Sequence, residues 1–557
     1  MALIPLNAGG NLQTAINNAQ PGDVISLEAG AVFRGPIELP NKAGSSPITI
    51  QSSRVDELPQ GRVNPTHSGL MPKIVATHAD QAVRTKPGAN NYKFDGVEFL
   101  PDTAATEIYD VIRFGGSRHE QSSLSAVPHH LILDRCYVHG LPTLSMQRGV
   151  SLNSSDSQVT RSYISDIKGR GMDAQAIASW NTPGRNKIID CYLEATGENV
   201  MFGGADPASV DFIPSDSEIS RCTFFKQPSW KGQGWVIKNL LEFKNGQRVL
   251  VNGCVFENNW EGEGQDGHSI LFTVRNQEGT ALYSTVKDIT VSNCTLKGCD
   301  RGINFLGTDN EKPSGKTSNV SILNNFFQFK HNALTINGTD SVVIDQNTFL
   351  IGGNIMTAYS TPSAAFVFKR NIFSNGVNGY GIFGDGLGEG KTAIAKYMPE
   401  AAVLENVFTG RDANSYPTGN FYPKTDAEIG LGSDGRLLST SQFKGKSSTG
   451  KDLGVDMDAV SAAQAATTTT PTIPKPDPIP TTPNPDPTPT TPTTPTTPTT
   501  PTPTPIPTLP EKYAYDAKPW PTTSAARLRL LNEMGAQGYR LSQVVSSTVF
   551  FEKTAAV

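Results

Sequence analysis

Between residues 136 and 408 a short phrase returns ten times: a small or amide residue, one variable position, then a large apolar residue. Its first member is Cys136, Ser162, Cys191, Cys222, Cys254, Cys294, Asn325, Asn347, Asn371 and Asn406. Two residues later stand Val138, Ile164, Leu193, Phe224, Phe256, Leu296, Phe327, Phe349, Phe373 and Phe408. Self-similarity at intervals of 22 to 40 residues marks a solenoid. Within each repeat the apolar residues alternate with a period of two, as in Val249–Phe256 and Val320–Phe327, which predicts strands. Residues two apart on a strand face the same way, so both members of the phrase point into one core. Stacking the coils sets a Cys/Asn column beside a Phe/Leu/Val column, and buried Asn in register can form amide ladders. The expected fold is all-β, a right-handed parallel β-helix. Leucine-rich repeats, the rival solenoid, would show an L-x-x-L-x-L phrase that this chain lacks. Coil length varies almost twofold, so the turns carry the insertions.

A solenoid needs a cap over its open end. Asn11–Ala19 sets apolar residues at 12, 15, 16 and 19, one face of a capping helix, and Val24–Leu27 begins a strand after Pro21-Gly22-Asp23. This opening, through Phe33–Ile37 and Ser46–Ile50, resembles the first turns of pectin-lyase-like β-helix proteins, and the coil pattern extends the resemblance to about residue 410.

The pattern divides the chain into a β-helix domain over 1–465, a Thr/Pro-rich linker over 466–510 and a small α+β domain over 511–557. The linker composition favours polyproline II, about 3.1 Å per residue and roughly 140 Å if fully extended. In the last segment Tyr513 and Tyr515 suggest a strand, Ser524–Met534 a helix ending at Gly535, and Tyr539–Val545 with Thr548–Glu552 a hairpin. The phrase Leu530–Leu541 resembles small β-α-β-β domains of bacteria and phages, which implies attachment or oligomerisation rather than catalysis.

Charge and composition narrow the function. A net charge of −5 leaves no nucleic-acid footprint, and no apolar run approaches a membrane span. The N-terminus lacks a basic segment followed by an apolar stretch, so no signal peptide is visible in this chain. Five of the six cysteines sit in the repeat column, where buried thiols act as small hydrophobes.

Candidate chemistry concentrates between residues 180 and 280. Trp230, Trp235 and Trp260 lie in the two longest coils, and aromatic faces suit sugar rings. Asp266-Gly267-His268 adds His268 as a further substrate contact. Two strands order the charges. In Leu241-Glu242-Phe243-Lys244 the apolar pair points in, leaving Glu242 and Lys244 outside; in Ile270–Arg275 the same parity turns Thr273 and Arg275 outward on the next coil. Strands about 4.8 Å apart make Lys244 and Arg275 neighbours across coils.

That arrangement resembles polysaccharide lyase family 6, the alginate lyases and chondroitinase B. The resemblance implies β-elimination on a uronate-containing, acidic polysaccharide, with Lys244 removing the C5 proton and Arg275 assisting the leaving oxygen. A lysine works as a base near neutrality only where positive charge or desolvation depresses its pKa. The family also implies calcium to neutralise the substrate carboxylate. Its calcium-binding glutamates stand five and seven residues before the lysine, where this chain has Asn239 and Ile237, and its usual His after the arginine is Asn276 here. Asp206 and Glu242 are the replacement metal ligands the sequence offers.

Polygalacturonase-type hydrolases would show Asn-Thr-Asp, Asp-Asp, Gly-His-Gly and Arg-Ile-Lys phrases, and the commonest pectate lyases Trp-x-Asp-His; none occurs. The non-enzymatic alternative is a polysaccharide-binding β-helix such as a phage tail spike or surface adhesin. A tail spike is expected to be trimeric and a secreted lyase monomeric, and either acts outside a cell, at a cell surface or on a virion.

Overall fold

The computed structural model describes residues 1–77, 80–264, 267–374 and 380–465, together with the backbone of three strands beyond residue 512. Chain contacts divide into one unit over Met1–Thr470 and another over Pro471–Val557. The stretch 466–510 and the helix expected at Ser524–Met534 lie outside the described residues.

The first unit is built from three long sheets in which every strand pairs with the equivalent strand of the coil before and the coil after, always in parallel. Among the described residues the first sheet holds 14 strands, the second 13 and the third 12. One coil shows the path: Gly246–Asn252 in the first sheet, Val255–Asn259 in the second, His268–Thr273 in the third, then Val286–Ser292 back in the first. Parallel strands joined by crossovers of this kind wind right-handed. The fold is the right-handed parallel β-helix that the repeat phrase predicts.

The phrase sits at the corner between the first and second sheets. All ten first members and all ten second members are buried. The residue just before each first member adopts a left-handed backbone: Arg135, Arg161, Asp190, Arg221, Gly253, Asn293, Asn324, Gln346, Arg370 and Glu405, with φ between 49° and 63°. That single conformation turns the strand sharply enough for the next two side chains of the same parity to enter the core.

The columns hold the coils in register. Asn347 Oδ1 accepts from the Asn325 amide N–H at 2.9 Å and its side-chain Nδ2 at 2.9 Å. Asn371 Oδ1 receives the same pair from Asn347 at 3.0 Å each. Asn406 repeats the arrangement for Asn371, and Asn420, beyond the last coil, caps the ladder for Asn406. In the earlier coils the acceptor is smaller: Ser162 Oγ takes the Cys136 N–H at 3.0 Å, and Cys222 Sγ takes that of Cys191 at 3.5 Å. Beside this column Phe224 and Phe256 stack at 4.3 Å, and Phe349 and Phe373 at 4.5 Å. A second aromatic column, Phe202, Phe243, Phe272 and Phe305, runs inside the third sheet with centroids 5.1 to 5.6 Å apart.

Both ends are closed. The helix Leu12–Asn18 buries Leu12 and Ile16 against the first coil. Asn11 caps its start, and Lys42 Nζ donates to the Ile16 and Asn17 carbonyls at its end. At the far end Tyr416 and Tyr422 pack on Phe408. Two segments then lie along the repeat corner from opposite ends. Residues 53–72 reach as far as Arg62, whose Nη1 donates to Cys191 O at 2.9 Å and Thr223 Oγ1 at 3.1 Å. Residues 454–465 run back the other way, from Gly454 on Arg370 to Gln464 on Thr295. The third sheet is left as an open face.

The second unit contains a three-stranded antiparallel sheet with Thr548–Thr554 between Tyr513–Pro519 and Tyr539–Val545. The expected hairpin and the expected first strand are both present. No helix of the described residues is long and apolar enough to cross a membrane.

Candidate functional site

Alternation places Glu242 and Lys244 on the outer face of the third sheet, because Leu241 and Phe243 are held inside by their columns. The register sets Glu242 beside Leu271 and Phe243 beside Phe272. Arg275 follows the end of the next strand, and its backbone N–H donates to Lys244 O at 2.8 Å. Lys244 and Arg275 line one open groove of about 730 Å³, together with Glu242, His268, Asp309, Lys312 and Tyr359. Asn276, Asn304, Asn310 and Asn337 add four amides to its wall. A groove floored by a parallel sheet and lined by amides, hydroxyls and a few charges suits a hydroxylated, charged chain.

The two cations are held differently. Lys244 Nζ lies 3.8 Å from Glu242 Oε1 and is otherwise directed at the groove. Arg275 Nη1 donates to Asp309 Oδ1 at 3.0 Å and also bonds Asn310 Oδ1, which fixes the guanidinium. Asp309 in turn accepts the Asn276 and Glu311 N–H groups, and these bonds with Arg275 hold its carboxyl below the usual range against the opposing effect of burial.

Beneath Lys244 lies a buried charge cluster. Glu242 is 3 % exposed, and Glu198, from the preceding coil, is fully buried. Asn239 Nδ2 donates to Glu242 Oε2 at 2.9 Å, and Gln175 Nε2 to Glu198 Oε2 at 2.7 Å. Lys238 Nζ sits 2.6 Å from Asp173 Oδ2 and 3.6 Å from Glu198 Oε1. Burial, reinforced by Glu198 and opposed by Lys244, pushes the Glu242 carboxyl up to about 7. Burial also opposes ionisation of Glu198, but Lys244 and Lys238 outweigh it and hold Glu198 below its ordinary value. Near neutral pH Glu242 is therefore partly protonated and Glu198 is ionised.

A carboxyl whose folded pKa is raised binds its proton more tightly in the native state. Its contribution to stability is present below the unfolded value, near 4.5, and is lost as pH rises through about 7. Full ionisation costs up to about 3 kcal/mol at one pKa unit per 1.4 kcal/mol. The Glu242→Gln protein is accordingly expected to melt higher than the parent at pH 8 and with it at pH 4.5, read by thermal denaturation at both pH values. The Glu198 shift runs the opposite way.

Other sequence candidates fall elsewhere. Trp230, Trp235 and Trp260 are 5 to 6 % exposed and pack on one another around Ile237. Buried to this degree they offer no ring face to the groove, and none lines it. Trp235 lies under the Arg170 guanidinium at 3.9 Å, and Trp260 Nε1 donates to Glu263 at 3.1 Å. Trp235→Ala is expected to cost about 3 kcal/mol of stability, the usual loss for a buried aromatic, with polymer retardation in affinity gels unchanged. His268 does line the groove, and its Nε2 meets Thr335 Oγ1 at 3.3 Å. Asp206 is buried and accepts from the Thr280 N–H at 2.8 Å and its hydroxyl at 2.7 Å. Asp206 is thus bonded to Thr280, while the charged partner of Glu242 is Lys244.

Glu198, Lys238 and Asp173 were not singled out by motif. Only the stacking of three successive coils brings them under Lys244, and the one sequence hint was the density of charge between residues 198 and 275.

No protein-family model matches the sequence, and no curated protein is similar to it. Among solved structures, the chain is similar to the PL6 family alginate lyase AlyGC, with 11% identity and a TM-score of 0.46. That match covers 82% of this chain but only 57% of the lyase, so this chain spans little more than half its length. The pectate lyase Pel9A is 13% identical with a TM-score of 0.38, covering 82% of this chain and 96% of that one. The tailspike protein of E. coli bacteriophage HK620, solved in complex with a pentasaccharide, is 13% identical with a TM-score of 0.41, covering 76% and 64%.

Proposed function

We propose that this protein binds an acidic, uronate-containing polysaccharide along the outer face of the third sheet and cleaves it by β-elimination. The observation that carries the reading is the meeting of Lys244 and Arg275, from successive coils, in one open groove. Lys244 is the base that takes the C5 proton, and Arg275 assists the oxygen that leaves from C4. Electrons from the broken C5–H bond form the C4–C5 double bond as the C4–O bond breaks. The C5 proton is removable only when the neighbouring carboxylate is neutralised, and Arg275 with Lys312 are the groove cations available for that besides the base. With its carboxyl pushed up to about 7, Glu242 is partly protonated near neutrality, which weakens the negative charge beside Lys244. The protein acts outside a cell, as a secreted, surface-attached or virion-borne polymer-processing module.

Affinity electrophoresis tests the binding step. The parent is expected to be retarded in gels containing alginate, polygalacturonate or chondroitin sulfate and to run freely in neutral dextran. Arg275→Glu is expected to lose that retardation. Equal migration of the parent in every gel, or undiminished retardation of the variant, would remove the groove from the account.

A further inference from the structure

The calcium ion implied by the lyase resemblance meets a specific difficulty in this chain. The two positions that would supply its carboxylates are Ile237 and Asn239. Ile237 is fully buried in the tryptophan cluster, and the Asn239 amide is spent on Glu242. The carboxylates that are present, Asp173, Glu198 and Glu242, are already matched by cations of the chain itself. Lys238 Nζ bridges Asp173 and Glu198, and Lys244 Nζ faces Glu242. A divalent ion placed among these oxygens would face both ammoniums at close range and would have to displace Lys238 from Asp173 and Glu198. The donor set does not fit a hard divalent cation.

We propose that the Lys238 ammonium, bridging Asp173 and Glu198, occupies the place a divalent ion would need among these carboxylates, so that this groove binds and processes its polymer independently of divalent ions. Lys238 is placed for that role by local structure. Its backbone N–H donates to Thr196 O at 3.1 Å, and the Ile237 N–H to Glu263 O at 2.8 Å, which stitch the segment across neighbouring coils. The side chain is only 14 % exposed, and the Glu198 and Asp173 charges outweigh its burial and keep it protonated. Lys238 acts through Glu198 and Glu242 on the placement of Lys244, and is a positioning residue.

The proposal rests on the groove assigned above, but its test needs no turnover. Equilibrium dialysis of the full chain against calcium, without polymer, is expected to show no ion whose retention depends on Glu198. In Lys238→Gln, which uncovers Asp173 and Glu198, one calcium per chain is expected to be retained and to raise the melting temperature relative to chelator. Calcium retained by the parent and lost in Glu198→Gln would overturn the proposal, as would a folded Lys238→Gln that gains no calcium. The parent and Glu198→Gln measurements decide by themselves where Lys238→Gln does not fold. Absence of elimination on every polymer would defeat only the proposed reaction, since the dialysis result stands apart from it. Where elimination occurs, an unchanged rate in chelator is expected, and a rate restored only by calcium would contradict the inference.

Discussion

Asn371→Leu is expected to destabilise the β-helix by about 3–5 kcal/mol, because each buried polar group left without a partner costs about 1–3 kcal/mol. Asn371 is fully buried, and leucine fills nearly the same volume, so the loss is not one of packing. The side-chain oxygen accepts both the backbone N–H and the side-chain Nδ2 of Asn347. Its own Nδ2 donates to Ile344 O at 2.9 Å and to Asn406 Oδ1 at 2.9 Å. Leucine abolishes all four bonds and strands the Asn347 N–H in a dry corner. The earlier coils supply the control. There a serine or cysteine fills the same position and still accepts the neighbouring N–H. Asn371→Ser is therefore expected to cost roughly half as much, since its hydroxyl can take the Asn347 N–H. Denaturant midpoints of the three proteins measure this. A larger loss in Asn371→Ser than in Asn371→Leu would show that volume, not the amide ladder, sets the stability of these coils.

Lys244→Ala is expected to lower the rate of elimination about 10³-fold or more, within the usual range for a positioned general base, while polymer retardation changes little. The side chain borders the groove and makes one 3.8 Å contact with Glu242, so its removal leaves the columns beneath intact. Lys244→Arg separates charge from basicity. Arginine keeps the positive charge but does not give up its proton. It is expected to bind polymer like the parent and to be as inactive as the alanine variant. Activity retained in Lys244→Arg would assign the residue an electrostatic role and leave the base to be found elsewhere.

The fold was legible in the chain because its core contacts repeat. A strand period of two and one phrase per coil are enough to set both columns, and the amide ladder follows from identical residues in register. The turn that makes the corner was not legible. Its left-handed residue is glycine only at Gly253, and the other nine are Arg, Asp, Asn, Gln or Glu, which carry no clear signal for that conformation. The adjacency of Lys244 and Arg275 followed from the coil period. The cluster below them did not. Glu198 lies in Thr196-Gly197-Glu198-Asn199, where the loop has no period to say which way a side chain turns. The contact Asp206 makes was not legible either: the loop carries it to Thr280. The tryptophans misled for a related reason. Long insertions on a solenoid build binding surfaces, but these fold their aromatics onto Ile237 and bury them.

The most direct test follows the products. Alginate, polygalacturonate and chondroitin or dermatan sulfate are incubated with the protein, and the ultraviolet absorbance of unsaturated uronate is measured beside new reducing ends. The account predicts that on one of these polymers the two grow in equal number, and that both vanish in Lys244→Ala. New reducing ends without the absorbance would mean hydrolysis and would contradict elimination. Neither signal on any acidic polymer would leave the groove as a binding surface and Lys244 as a surface charge.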